Sequence, residues 1–219
     1  MPVQLDKVVP WGRSLAEYRA IFALTDADMA RNILDCGAGP SSFAAEMHAR
    51  GHRVTAVDPI YAYSADAIRQ RVEETRVPMM EQVRRNTDHF VWQFIPSPEA
   101  LEQTRMGAME KFLADFPAGL SEGRYRAMDL PRLDIADGTF DLVLCSHLLF
   151  LYSEQLSEQL HLDAVAELKR VAREVRIFPL LDLNGNVSRH LEPVQKQWNA
   201  KRVTVEYEFL RGANQMLVL

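Results

Sequence analysis

A chain of 219 residues with a formal net charge of −5 is long enough to fill one α/β core and carries no global positive field to draw polyanions. Its 47% hydrophobic and 25% charged residues are those of an ordinary globule, so a single domain over 1–219 is expected and nucleic acid is a disfavoured partner. No run approaches the roughly 18 apolar residues of a membrane span. The opening Met1-Pro2-Val3-Gln4-Leu5-Asp6 lacks a basic segment followed by an apolar stretch, so a cytoplasmic protein with no membrane partner is expected.

In chain order, Ser14 with Glu17 forms a capping-box pattern ahead of Leu15, Tyr18, Ile21 and Phe22 at helical spacing, which predicts an N-terminal helix. Thr25 with Asp28 repeats the cap signal. Ile33 to Cys36 reads as the first strand, running through the turn Asp35-Cys36-Gly37-Ala38-Gly39 into a helix over 41–50 that Gly51 ends. Gly37 and Gly39 open backbone conformations closed to residues with a Cβ and let a ligand lie against the main chain. Pro40 and Ser41 suit the first turn and cap of the helix. A second strand, Arg53 to Asp58, ends in a carboxylate about 20 residues past the glycines. In a βαβ unit the two strand ends lie side by side, which places Asp58 to accept hydrogen bonds from both hydroxyls of a ribose.

About 65 residues then separate Asp58 from the next expected strand, Tyr125 to Met128, where a whole βαβ unit needs only about 30. The excess, 62–122, reads as a helical insertion. It holds helix candidates near 65–76 and 79–87, the aromatic run His89 to Phe94, and a strong helix start at Ser97-Pro98-Glu99 with Leu101, Met109, Phe112, Leu113 and Phe116 on one face. The expectation is a cap over the carboxyl ends of the strands, where ligands bind in open α/β sheets; a packing elaboration away from the site is the open alternative.

A strand over Phe140 to Cys145, a helix from about Leu162 to Ala172 and a strand from Val175 to Leu181 restore the alternation of a parallel sheet with helices on both faces. Val203, Val205, Tyr207 and Phe209 alternate with polar residues as a half-buried strand near an edge. Arg211-Gly212-Ala213-Asn214 then turns the chain into the apolar Met216 to Leu219, a strand that belongs inside the sheet, and the two form a hairpin. Cys36 and Cys145 fall inside expected buried strands and read as reduced apolar fillers. With the six scattered histidines they make no metal pattern.

Leu34-Asp35-Cys36-Gly37-Ala38-Gly39, Val57-Asp58-Pro59 and Asp137-Gly138-Thr139-Phe140-Asp141-Leu142-Val143-Leu144-Cys145-Ser146 resemble, in this order, the first, second and fourth strand motifs of class I S-adenosylmethionine-dependent methyltransferases. The resemblance covers residues 30 to 219. It implies a Rossmann-like, mostly parallel seven-stranded α/β sheet with a C-terminal antiparallel hairpin, S-adenosylmethionine as cofactor, and in-line methyl transfer to a small-molecule acceptor. It also implies that Asp35 and the Gly37 carbonyl hold the methionine end of the cofactor, with Ala38, Gly39, Pro59 and Ser146 lining the pocket and Asp58 on the ribose. Asp129 and the Leu130 N–H read the adenine, with Asp134 a competing third acid.

Ser146 and His147 arrive where the methyl group points. His147 is the best-placed general base for a hydroxyl or protonated amine, against the alternative of packing on Phe150 and Tyr152 or capping the next helix. Tyr61, Tyr63, Tyr152 and His190 are weaker candidates for the acceptor pocket, and Trp11 and Arg13 for closing over the cofactor carboxylate. Asp141, at the start of its strand, reads as structural. Ala172 to Pro179 runs from helix to strand without the family's glycine-rich turn, and no Asn-Pro-Pro-Tyr follows the fourth strand, so no subfamily is indicated. Two other readings stay open. One is a non-catalytic cofactor-binding sensor or partner subunit. The other is an NAD-dependent dehydrogenase, for which Ser42 stands where a third glycine belongs.

Overall fold

The computed structural model describes residues 11–219, so the segment Met1 to Asp6 lies outside the described residues. Seven strands, Ile33–Cys36 (β1), Val54–Val57 (β2), Tyr125–Arg126 (β3), Phe140–Ser146 (β4), Ala172–Phe178 (β5), Lys201–Thr204 (β6) and Gln215–Val218 (β7), form one sheet in the order β3-β2-β1-β4-β5-β7-β6. All neighbours pair in parallel except β7, which runs antiparallel between β5 and β6. The apolar β7 is thus inside the sheet and β6 is its edge, as the contrast between their sequences predicts.

Strand periodicity divides the core in two. Along β4, Leu142 and Leu144 face a cluster containing Phe22, Met47 and Phe112, whereas Val143 and Cys145 face one containing Val165, Leu168 and Val194. The first face is covered by helices Leu15–Phe22 (α1), Phe43–His48 (α3) and Pro98–Ser121 (α5), the second by Glu158–Val171 (α6) and Leu191–Trp198 (α7). A short helix, Asp26–Met29 (α2), and the long Ala65–Arg85 (α4) complete the set. Ser14 and Thr25 both form complete capping boxes, with Glu17 and Asp28. Cys36 and Cys145 are register partners on adjacent strands and both are free thiols.

Several boundaries differ from expectation. The helix after the glycine turn begins at Phe43, because Ser41 Oγ accepts from the Phe43 N–H (3.1 Å) while donating to the Arg13 carbonyl (2.8 Å). The two helices expected around Pro78 are one helix, α4. A proline inside a helix costs about 3 kcal/mol, but here Met79, Met80 and Val83 are buried, and Arg76 and Arg84 both pair with Glu102 on α5, so tertiary packing outweighs the breaker. Helix α5 returns the chain to β3 and packs Phe112 and Phe116 around Tyr61 and Tyr125.

Strand β5 begins directly where α6 ends, three residues earlier than expected. The strand expected over 203–209 stops at Thr204, and its ladder residues are exposed. The alternation beyond it belongs to chain that has left the sheet: Val205 and Tyr207 are buried, and Phe209 stacks on Phe90 with ring centroids 4.8 Å apart. Helix α7 was not anticipated from the sequence.

One buried ion pair ties α1 to α5. Glu17 and Arg105 are both essentially inaccessible; Arg105 Nη1 lies 2.6 Å from each Glu17 oxygen, and the Tyr207 hydroxyl donates to Oε1 at 3.2 Å. Removing one partner of such a pair strands the other charge in low dielectric, so Glu17→Gln is expected to cost about 3–5 kcal/mol of stability. Urea unfolding monitored by circular dichroism checks this: the midpoint falls at unchanged slope. A cost below about 1 kcal/mol would place the pair among those of no net value.

Candidate functional site

The carboxyl ends of β1, β2 and β4 surround a cleft of about 300 Å³. At its floor Gly37 (φ 70°) and Gly39 (φ 56°) adopt left-handed backbone, and a Cβ on Gly37 would sit 2.5 Å from a Leu148 methyl. Gly37 N–H donates to the Val57 carbonyl (2.9 Å), locking the turn to β2.

Asp58 closes the same junction from the other strand. Its Oδ2 accepts from Gly39 N–H and its Oδ1 from Ile60 N–H, both at 2.9 Å, the latter capping a 3₁₀ turn over Pro59–Ala62. Burial raises its pKa above the usual carboxylate value and nearby Asp129 adds to this, while the two amide donors pull the other way. Tyr61 braces the turn by donating to the Gly39 carbonyl at 2.7 Å.

Gly37, Ala38, Gly39, Asp58, Pro59, Asp129, Leu130, Ser146 and His147 all line this cleft. Asp134, the competing third acid, is exposed and does not. Asp35 lies beneath it, fully buried; its Oδ1 accepts from the Tyr18 hydroxyl (2.9 Å), and its Oδ2 has no partner among the described residues. Burial pushes its carboxyl up to about 8. Tyr18, which the helical spacing marked only as a core position, lines the cleft with its ring stacked on Phe43 at 4.3 Å.

His147 is held in left-handed backbone (φ 55°), with its N–H donating to the Phe178 carbonyl (2.6 Å) and its Nδ1 2.8 Å from Ser146 Oγ. A non-glycine residue pays for that conformation, so the strand end is constrained to aim this ring. Burial, then the cations Arg13 and Arg105, hold its pKa well below the usual histidine value, so the imidazole is neutral. Its ring meets Phe178, while Phe150 stacks on His161 and Ser157 caps α6.

The weaker acceptor-pocket candidates lie elsewhere. Tyr61 is packed among Phe112, Phe116 and Tyr125, Tyr63 is 63% exposed, Tyr152 is buried off the cleft, and His190 packs on His161 (4.4 Å). Asp141 accepts from Asn32 N–H at the opposite end of the sheet, a structural role.

Trp11 and Arg13 do reach the cleft. The Arg13 carbonyl accepts from Ser41 Oγ and Ser42 N–H, and Gly12 presses so closely on Pro40 that a Cβ there would lie 1.9 Å from its carbonyl oxygen. A second hollow of about 130 Å³ adjoins and shares Trp11, Arg13 and His147; the insertion contributes Met79 and Phe90 to it. Among the described residues no group of histidine, cysteine, aspartate or glutamate is arranged to hold a metal, and no helix is long and apolar enough to cross a membrane.

The mostly parallel seven-stranded sheet with antiparallel β7 between β5 and β6 is the Rossmann-like architecture that the sequence resemblance implies. No family model matches the sequence. The chain belongs to the same family as the uncharacterized protein MJ0045 of Methanocaldococcus jannaschii, with 30% identity across 99% of this chain and 98% of that protein. Among solved structures it is similar to magnesium protoporphyrin IX methyltransferase of Synechocystis PCC 6803 (12% identity, TM-score 0.48, 93% of this chain and 76% of that one). It is also similar to a TehB-like methyltransferase of Corynebacterium glutamicum (17%, 0.48, 92% and 85%) and to the N-methyltransferase NodS of Bradyrhizobium japonicum (12%, 0.46, 93% and 93%).

Two outcomes follow from this geometry. Because the native state holds a proton on Asp35 that the unfolded chain releases, wild-type stability includes a component that is lost as pH rises from about 3.8 towards about 8. Asp35→Asn removes that component, so the variant is expected to gain on wild type steadily through this window in urea titrations; a pH-independent difference would count against a protonated Asp35. Gly12→Ala has no room against main chain and is expected to cost about 1–3 kcal/mol, read as a lowered thermal midpoint. An unchanged midpoint would mean the Trp11–Arg13 segment moves freely.

Proposed function

We propose that this protein transfers a methyl group from S-adenosylmethionine to a small-molecule acceptor. The observation that carries the reading is the convergence of Asp58 and Asp129, from adjacent strand tips, on one cleft floored by two left-handed glycines. The residues present suit the cofactor. The cleft volume is at the lower end of those that hold small ligands, Asp35 Oδ2 is buried without a partner among the described residues, and Gly39 leaves open space where a side chain would project.

In this reading each Asp58 oxygen, already accepting one amide, keeps a second lone pair for a ribose hydroxyl. Asp129 and the Leu130 N–H meet the adenine edge, and Asp35 and Gly37 meet the positively charged methionine end. The bound cofactor supplies a methyl group on a cationic sulfur, which departs as a neutral thioether. Little covalent work then falls to the protein, and its task is to hold two reactants in line and exclude water. Ser146 and His147 border the place where that line runs; burial keeps the His147 ring neutral, which leaves a nitrogen free to receive a proton from the acceptor and also makes it a weaker base than a solvated imidazole. The insertion 62–122 serves as one wall of the acceptor site through Met79 and Phe90. The net charge and the acidic cleft favour a small molecule over nucleic acid, and two free buried thiols suit the cytoplasm.

Calorimetric titration with S-adenosylmethionine and S-adenosylhomocysteine tests the reading, and absence of binding at millimolar ligand would remove it. Asp58→Ala is expected to weaken binding at least tenfold, about 1.4 kcal/mol, through loss of charged acceptors. Asp129→Ala should weaken it too, whereas Asp134→Ala should not; equal effects at 129 and 134 would overturn the adenine assignment. Turnover is read by incubating the protein with methyl-labelled cofactor and fractionated small-molecule extract.

A further inference from the structure

The second hollow has an electrostatic character opposite to that of the cleft. Phe90, Phe178, Phe209 and Leu151 give it apolar walls, and among its lining residues Arg13 alone is charged, His147 being neutral. Arg13 Nη1 donates to the Trp11 carbonyl (3.2 Å), but Nε is buried without a partner, and no carboxylate among the described residues pairs with this guanidinium. The acid close by among the described residues, Glu17, is engaged by Arg105, Ser14 and Tyr207. Two guanidinium groups therefore share one carboxylate in a largely dry setting. Burial and the proximity of Arg105 both disfavour the charge on Arg13.

An uncompensated buried cation is costly, and a carboxylate in bidentate contact is the group whose geometry matches it. The cleft side repels such an anion, since Asp58 and Asp129 line it; the hollow side has no acid. Its aromatic walls suit a flat apolar body, and its volume of about 130 Å³ is on the scale of one ring, comparable to the roughly 150 Å³ apolar cavity that takes up benzene.

Building on the cofactor reading of the cleft, we infer that the methyl acceptor is a small ring-bearing carboxylic acid: its ring lies in this hollow, its carboxylate sits on Arg13, and its nucleophilic atom faces Ser146 and His147. In the transfer, the lone pair of that atom forms the new bond to the methyl carbon as the carbon–sulfur bond breaks with its electron pair on sulfur. Any proton on the acceptor atom passes to His147 or to water. Under this arrangement the cationic sulfur lies on the acidic side of His147 and the anionic acceptor on the basic side.

Cinnamate and its uncharged isostere cinnamamide probe the site by calorimetry and saturation-transfer NMR, on protein first saturated with S-adenosylhomocysteine. Cinnamate is expected to bind the saturated protein about tenfold or more tightly than cinnamamide, and Arg13→Met to abolish that preference. Leu183→Trp, at the lip of the hollow, is expected to weaken cinnamate about tenfold by filling it. Equal binding of acid and amide by wild type would overturn the inference, as would displacement of cinnamate by S-adenosylhomocysteine, which would place the anion in the cleft. Should Arg13→Met fail to fold, the wild-type acid-to-amide ratio and Leu183→Trp still decide. Failure of S-adenosylhomocysteine itself to bind would instead sink the cofactor reading, and the two failures are seen in separate titrations.

Discussion

The Glu17 carboxylate is where distant parts of the chain are made to meet. It completes the capping box of α1, receives both contacts of Arg105 from α5, and accepts from Tyr207 of the C-terminal segment. None of these elements is adjacent in sequence. A buried carboxylate is tolerated only when its lone pairs are filled, so the requirement to satisfy Glu17 fixes α1, the insertion and the chain beyond β6 relative to one another. The walls of the second hollow are drawn from these same pieces: Arg13 just before α1, Met79 and Phe90 from the insertion, and Tyr207 with Phe209. The ion pair thereby does more than hold two helices together; it joins the pieces that wall the hollow, where Arg13 has no carboxylate partner among the described residues.

A second carboxylate, Asp58, has the corresponding role in the cleft. It ties the glycine turn of β1 to the end of β2 through two amide hydrogen bonds, and Tyr61 and the Gly37–Val57 bond complete the brace. The acid proposed to grip the ribose is therefore also part of the loop that the ligand would rest against. Substitution at this position alters loop geometry together with ligand contacts, and a loss of affinity there measures the sum of the two. Asp35 differs: one of its oxygens has no partner among the described residues, and burial pushes its carboxyl up to about 8. Such unmet polar groups are concentrated where function overrides stability.

What the sequence revealed and what it hid divide along physical lines. The glycine turn, the acid at the end of β2 and the apolar last strand were legible because each imposes a local rule: positive φ, a strand tip beside a strand tip, and burial on both faces. Asp129 was legible only with Asp134 as a rival, since counting along a loop leaves the register free until coordinates place one residue in the cleft. Pro78 misled because helix propensity is a weak prior against the packing of Met79, Met80 and Val83. The alternation over 203–209 misled for a related reason. A period of two reports that every second residue turns inward, not that the backbone is paired, and here Val205 and Tyr207 are buried and Phe209 half-buried after the ladder has ended. Tyr18 at the cleft and the lack of a carboxylate beside Arg13 among the described residues left no signal at all, because both exist only in three dimensions.

His147 stands at the boundary between the two chambers, and the chain goes to some trouble to put it there. Its backbone is left-handed, its N–H is tied to β5, and its ring rests on Phe178 with Nδ1 beside Ser146. The acids Asp58 and Asp129 line the cleft alone, whereas Arg13 borders both chambers. An imidazole depressed in pKa by burial and by neighbouring cations stays neutral and is a weaker base than a solvated one, so it divides the charged regions without adding a charge of its own. For a displacement in which a sulfonium loses its charge as an acceptor approaches, that distribution stabilises each reactant on its own side. A protonated histidine at the same point would oppose the sulfonium and add a second cation beside Arg13. Depression of the His147 pKa is thus consistent with both chambers at once, a constraint that neither chamber alone would impose.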